Sequence, residues 1–301
     1  MNKEELKNIF QFLENSEYSL DQDIINNHCT DWRGDFIGTS DIILFPKSTS
    51  AISKIIKACE KNHIPIIPQG GNTGLVGGSV PRKDKGEIIL NLKNMNNIRK
   101  INLTDNSVII ESGCILEDLK KKLQEHEMEF PLNMGSKGSC QVGGNIATNA
   151  GGVNYIKYGS IRQNILGLEV ITTSGEIISN LSSIKKNNTG LDLKQIFIGS
   201  EGTLGIITAA TFRIYKKPQE RCILWLGSDS VSEILKTYSY FTKIFCDQIS
   251  SFELMNKKSL IILKKIGIEF SIEKEFYCLI ELSNFQDIQN FQDYVMNKII
   301  K

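Results

Sequence analysis

Three glycine-rich stretches hold the residue types in this chain that could do chemistry. The first is Pro68-Gln69-Gly70-Gly71-Asn72-Thr73-Gly74-Leu75-Val76-Gly77-Gly78, in which five glycines fall within nine positions. Glycine admits positive φ and lets a ligand approach backbone N–H groups closely. Successive exposed N–H groups form an anion-binding nest, whose natural occupant is a phosphate. From spacing alone, a glycine-rich surface turn would read the same way. The stretch is not a Walker A loop, because no Gly-Lys-Ser/Thr closes it, and it is not a Rossmann fingerprint, because Ser79-Val80-Pro81 stops it before a long helix can start. What remains is a cofactor whose pyrophosphate is held by neither usual loop. The second stretch runs from Gly138 to Gly152 and carries Ser139, Asn145, Thr148 and Asn149, small polar groups suited to lining a flat, buried polar ligand. The third, Gly199-Ser200-Glu201-Gly202-Thr203-Leu204-Gly205, adds one carboxylate. Three such stretches, each beside a predicted strand, are harder to assign to chance than one.

Other chemistry-bearing residues are sparse. The three histidines, His28, His63 and His126, have no metal-ligand spacing to one another or to a cysteine, so no zinc site is expected. Each reads as a surface residue with a structural role. Seven dispersed cysteines without a Cys-x-x-Cys pair fit reduced thiols in the cytoplasm. Cys140 reads as a small packed thiol rather than a redox centre.

The elements that must position these groups alternate. Helices are expected over residues 4–13 and 20–26, and a strand over 41–45. A helix then follows over 51–62, with Ser50 as its N-cap. Strands are predicted at 64–68, 88–92 and 107–111, and a helix at 116–126. Residues 130–160 break the pattern. Strands at 165–172 and 176–178 form a hairpin around Ser174-Gly175, and a strand at 206–215 follows the third glycine stretch. Composition shifts at Lys216-Lys217-Pro218, after which strand, helix and strand recur as a βαβ-type start to another domain. The expected organisation is a helical segment over 1–30, an α+β domain over 31–217 and a partial α+β (ferredoxin-like) domain over 218–301.

Bulk composition narrows the classes. The chain has 301 residues, 41% of them hydrophobic and 23% charged, as in ordinary globular proteins. A net charge of +1 leaves no cationic excess for a nucleic-acid binder. No apolar run approaches the about 18 residues of a transmembrane helix, and the first residues do not read as a secretory signal or a transit peptide.

The first stretch, continued through Ser79-Val80-Pro81, resembles the pyrophosphate loop of D-2-hydroxyglutarate dehydrogenases. These are relatives of D-lactate and glycolate dehydrogenases in the vanillyl-alcohol-oxidase (PCMH-type) flavoprotein superfamily. The run from Lys137 to Gly152, Tyr158-Gly159-Ser160, Leu166-Gly167-Leu168-Glu169, the stretch from Lys186 to Lys194, and Ile198-Gly199-Ser200-Glu201-Gly202-Thr203-Leu204-Gly205-Ile206 agree with it in order. The resemblance covers residues 31–282.

It implies a PCMH-type FAD-binding domain of two α+β subdomains with FAD between them, followed by a substrate or cap domain. By carry-over, Pro68, Gln69, Gly70, Gly71, Asn72, Thr73, Gly74, Leu75, Val76 and Gly77 would wrap the pyrophosphate. Met134, Gly138, Ser139, Gly143, Gly144, Asn145, Thr148 and Ala150 would line the flavin and its ribityl chain. Glu201, Gly202, Ile206 and Ile207 would meet the adenosine side or the flavin edge. Some superfamily members tether the flavin through a histidine in the first loop; Asn72 and the absence of histidine there imply non-covalent FAD. Relatives oxidise a D-2-hydroxy acid to the 2-oxo acid by hydride transfer to flavin N5, and pass electrons to an electron-transfer flavoprotein, a quinone or a cytochrome. Their catalytic histidines, carboxylate clamp and divalent metal lie in a C-terminal region marked by Gly-His-x-Gly-Asp-Gly-Asn, a run this sequence does not contain. Catalytic residues are therefore unassigned, Glu253 included. A second polypeptide completing the substrate domain, a truncated product and a partial sequence all fit. A flavin-binding subunit without turnover is one alternative. An NADPH-dependent enolpyruvyl-sugar reductase is another, which the quoted segments resemble much less.

Overall fold

The computed structural model describes residues 2–268, 273–286 and 288–300. Its contacts divide the chain into two units: Met1–His126 with Gly135–Ala150 and Ile161–Tyr215, and Glu127–Met134 with Gly151–Ser160 and Lys216–Lys301.

The first unit is built on two sheets. In one, Tyr18–Ser19 (β1), Ile43–Leu44 (β2), Ile66–Gln69 (β3) and Ile88–Asn91 (β4) lie in the order β1-β2-β4-β3, and β2, β4 and β3 are parallel. Side-chain alternation gives this sheet two buried faces. Ile42, Leu44, Ile88 and Leu90 pack with Ile52, Ile55, Ile56 and Cys59 of the helix Thr49–Lys61, and with Leu6, Phe10 and Leu13 near the N-terminus. Ile43, Phe45 and Ile89 pack with Ile25 and Cys29 of the segment around the helix Gln22–His28. Each large aliphatic or aromatic side chain so buried contributes about 1.5–3 kcal/mol. The N-cap of Thr49–Lys61 is Ser48 and not the expected Ser50: the Ser48 Oγ accepts the Ala51 N–H at 3.1 Å. Ser50 falls inside the first turn, where its own N–H is one of the groups awaiting a cap.

The second sheet takes Ile98–Asn102 (β5) and Ser107–Glu111 (β6). After the two-residue strand Met128–Glu129 (β7), it adds Ile165–Thr172 (β8), Ile177–Asn180 (β9) and Gly205–Arg213 (β10). Its order is β5-β6-β10-β8-β9, antiparallel throughout. The hairpin β8–β9 is the one read from the sequence. β5 was not expected, because it is a half-exposed edge strand without clean alternation. Glu169 of β8 fastens the helix Thr49–Lys61 to this sheet. It accepts from Thr49 Oγ1 at 2.8 Å, Thr208 Oγ1 at 2.8 Å and Arg99 Nη2 at 3.2 Å. Burial pushes its carboxyl up, but the bonds from Thr208, Thr49 and Arg99 outweigh this and hold it below the usual carboxylate range.

After Tyr215–Lys216 (β11), the second unit carries Glu220–Ser228 (β12), Ile249–Asn256 (β13) and Phe276–Asn284 (β14) in the order β12-β14-β13. β14 is antiparallel to both neighbours. Cys222, Cys278, Ile280 and Leu282 bury one face beneath Ile234, Phe241 and Phe245 of the helix Val231–Phe245 and Phe291 and Val295 of Phe291–Ile300. The strand–helix–strand reading is thus refined: β12 and β13 are not neighbours, and β14 lies between them, as in a split βαβ arrangement.

Candidate functional site

The first glycine loop leaves the C-terminal end of β3 and is tied at its base. Gln69 is 1% exposed and satisfied on both atoms of its amide. Its Nε2 donates to the carbonyls of His28 at 2.9 Å and Ser79 at 2.8 Å. Its Oε1 accepts from Asn91 Nδ2 at 3.0 Å and faces His28 Nδ1 at 2.6 Å. Asn72 sits at φ 51°, a left-handed conformation asparagine tolerates better than most residues. Its Nδ2 donates to the Thr30 carbonyl at 2.7 Å, and its Oδ1 accepts from Ser79 Oγ at 2.8 Å. Between these ties, none of the backbone N–H groups of residues 71–77 donates to another described residue. That row of donors is what an anion nest requires.

The three glycine stretches meet. A Cβ on Gly71 would lie 2.0 Å from the Ser139 carbonyl oxygen, so the first stretch abuts the second there. Gly202, at φ 78°, presses on Pro68, and a Cβ on Gly78 would lie 3.4 Å from Glu201 Oε2, so the third abuts the first. The third is also hung on the second: the N–H groups of Gly199 and Glu201 donate to the carbonyls of Ile146 at 3.1 Å and Ala147 at 2.9 Å. The short helix Val142–Ala147 is seated by N–H bonds from Val142 to Cys114 at 3.0 Å and from Gly143 to Ser112 at 2.7 Å. Asn145 is buried with its amide on Cys140 Sγ, and its carbonyl accepts the Ala150 N–H at 2.8 Å; Thr148 Oγ1 donates to the Gly144 carbonyl at 3.0 Å.

The glycines differ in what demands them. Gly71 and Gly143 are required by neighbouring atoms. Gly70, Gly74 and Gly144 are not: none has a positive φ, nothing lies within 4 Å of a Cβ on Gly74 or Gly144, and the nearest contact for Gly70 is an ordinary 3.5 Å. These three leave open a cradle that a Cβ would fill.

Beside Gly70 and Gly71 lies a cavity of about 490 Å³, whose wall includes His28, Trp32, Asn91, Lys93 and Gln141. Sequence reasoning assigned these residues no part in a site. A usable signal existed for Asn91 and Lys93, since Asn91 ends β4 and Lys93 follows it at the same carboxyl edge as the loop after β3, where open parallel sheets place ligands. Arg162 was also missed: its guanidinium braces the third stretch by donating to the Ile198 carbonyl and to Gln195 Oε1 at 2.8 Å. His28 is half-buried within the loop's base rather than a surface residue. His63 and His126 are exposed. Thr73 stands half-exposed in the first loop, Leu75 and Val76 are exposed on its lip, Gly77 turns at φ 73° and Gly138 lies against Glu117. Ile206 and Ile207 are each 5% exposed within β10, and Met134 groups with the second unit. Among the described residues no cluster of three or more His, Cys, Asp or Glu side chains is placed to hold a metal, and no helix is long and apolar enough to cross a membrane.

A family described as FAD binding domain matches residues 40–180. The mitochondrial D-2-hydroxyglutarate dehydrogenase of Danio rerio is 41% identical over 245 residues, which are 81% of this chain and 46% of that protein. Residues 40–180 of this chain thus carry an FAD-binding domain. Other relatives include a D-2-hydroxyglutarate–pyruvate transhydrogenase of Saccharomyces cerevisiae, 40% identical over 84% of this chain and 51% of that protein. A putative mitochondrial D-lactate dehydrogenase of Schizosaccharomyces pombe is 42% identical over 89% of this chain and 51% of its own length. The chain thus spans about half the length of these curated relatives. Solved structures with the same fold include an alkyldihydroxyacetonephosphate synthase, with a TM-score of 0.80 at 19% identity over 100% of this chain and 59% of that one. A p-cresol methylhydroxylase with substrate bound has a TM-score of 0.74 at 16% identity, over 100% of this chain and 65% of that one. The PCMH-type α+β fold expected from the sequence is the fold observed.

Proposed function

We propose that this chain is the flavin-holding part of an FAD-dependent dehydrogenase that oxidises a D-2-hydroxy acid, of the D-2-hydroxyglutarate or D-lactate kind, to the 2-oxo acid. The observation that carries this is the first loop. Its N–H groups over residues 71–77 are unpaired among the described residues, and Gly70, Gly74 and Gly144 leave room for a ligand that no packing demand explains. In this reading the loop amides hold the diphosphate, with Pro68 and Gln69 fixing the loop's entry. Gly138, Ser139, Gly143, Gly144, Asn145, Thr148 and Ala150 serve the flavin and ribityl portion. Glu201, Gly202, Ile206 and Ile207 serve the adenosine side or the flavin edge; the last two can do so through their backbone, since their side chains are buried. Bound FAD supplies the acceptor for the hydride leaving the substrate Cα. The coenzyme is held non-covalently, because the first loop offers an amide at Asn72 and no histidine or cysteine. Seven unpaired thiols suit a reducing compartment such as the cytoplasm.

The purified chain should be yellow and release all its flavin in acid. A colourless protein that takes up no added FAD would refute the reading. A second reading is a flavin-binding subunit or remnant without turnover of its own. Anaerobic addition of D-2-hydroxyglutarate or D-lactate separates the two: bleaching of the flavin by the chain alone excludes the second, whereas bleaching only after a polypeptide completing the substrate domain is added supports it. The eventual electron acceptor would be an electron-transfer flavoprotein, a quinone or a cytochrome.

A further inference from the structure

The cavity beside the first loop has two polar atoms with unspent acceptor capacity. Gln141 is 7% exposed, lines the cavity, and its Oε1 is buried without a hydrogen-bond partner. A buried, unpaired carbonyl oxygen is costly unless something supplies a donor. That oxygen would lie 3.5 Å from a Cβ on Gly70, so it sits where the open cradle begins. The second atom is on His28. The amide of Gln69 is oriented by its neighbours, since Nε2 must face the carbonyls of His28 and Ser79, which only accept. Oε1 is then the atom 2.6 Å from His28 Nδ1. An acceptor there requires Nδ1 to carry the proton, and in the neutral ring Nε2 is left as an acceptor. Nε2 has no partner among the described residues.

Resting on the FAD reading above, we propose that His28, through Nε2, and Gln141, through Oε1, position the bound coenzyme by accepting hydrogen bonds from its hydroxyl or N–H groups in this cavity. Trp32, 74% exposed on the cavity wall, offers a flat apolar face beside them, and Lys93, whose Nζ stands 3.9 Å from the Phe45 ring centroid, supplies positive charge. The charged or titratable groups around His28 are Lys93, Asp31 and the neighbouring Cys29. Burial first, then Lys93, depress the His28 imidazole below its usual range against the opposing bond to Gln69. Backbone N–H bonds, chiefly from Phe36, keep Asp31 ionised, and burial pushes the Cys29 thiol up, so neither takes up His28's proton near neutrality.

The test is FAD titration of the full chain, followed by flavin fluorescence, across pH. His28→Asn places an amide N–H where Nδ1–H stood, preserving the bond to Gln69 while removing the Nε2 acceptor. It should fold with an apo melting temperature near wild type and bind FAD about tenfold more weakly at neutral pH. Wild-type affinity should fall as pH drops through the depressed His28 pKa, and the variant's should not follow. Gln141→Met removes the unpaired oxygen from a site of similar volume; it should raise the apo melting temperature and weaken FAD binding. Wild-type FAD affinity and pH profile in both variants would overturn the proposal and leave the FAD reading standing. A wild-type chain that binds no FAD would instead overturn that reading, and the proposal with it.

Discussion

The base and the lip of the first glycine loop are a few residues apart and are stabilised in opposite ways. At the base, Gln69 and Asn72 spend their amides on His28, Thr30, Ser79 and Asn91, and Gly71 is locked against Ser139. At the lip, Gly74 stands in open space, Leu75 and Val76 are 44% and 74% exposed, and the backbone donors have no partner in the described chain. The base is a finished structure, while the lip is open, and in the proposed reading it holds a ligand. Glycine therefore means two things within one motif: close packing at position 71 and open space at position 74, which the proposed function assigns to a ligand.

The largest effect expected from this contrast is that of Gly71→Ala. Its Cβ meets a backbone oxygen that cannot swing away, so the cost should reach about 3 kcal/mol or more. Thermal unfolding should show a large loss or no folded protein, and a stable variant would break the contrast. Gln69→Leu strands the His28 and Ser79 carbonyls and the His28 Nδ1, at a cost of about 3 kcal/mol. Denaturant unfolding should report that loss even without flavin. Asn72→Ala should cost about 1–2 kcal/mol, from its side-chain bonds and the left-handed backbone it would then have to hold with a methyl group. Asn72→Gly should recover the backbone part of that loss. Smallest in stability is Gly74→Ala, expected within about 0.5 kcal/mol of wild type because its Cβ meets nothing. Its FAD affinity should nevertheless drop, as read by equilibrium dialysis. If Gly74→Ala instead unfolded the protein and bound FAD unimpaired, the lip would be structural after all.

Much of the fold was legible because its elements announce themselves locally. Ser107–Glu111 and Ile165–Thr172 appear with the expected bounds, since each is rich in aliphatic residues and closed by turn residues. The helix Thr49–Lys61 follows from Ile52, Ile55, Ile56 and Cys59, which fall on one face. Ile98–Asn102 was not legible, because an edge strand buries too little to impose a pattern. The split order β12-β14-β13 was not legible either. Pairing is decided by which faces must be covered together, and no local signal encodes it.

The sequence by itself determined where a backbone could come close to a ligand. Glycine spacing after strands is a property of the chain, and it picked out the three stretches that the structure brings together, as well as the family resemblance that names a flavin. Only the tertiary structure decided which glycines are spent on packing and which are left for a guest, because that depends on atoms 68 positions away, such as the Ser139 oxygen over Gly71. It also decided that His28, silent in the sequence, is held by Gln69 with one ring nitrogen unspent. A hydrogen bond across 41 residues fixes that tautomer, and no spacing rule reaches so far.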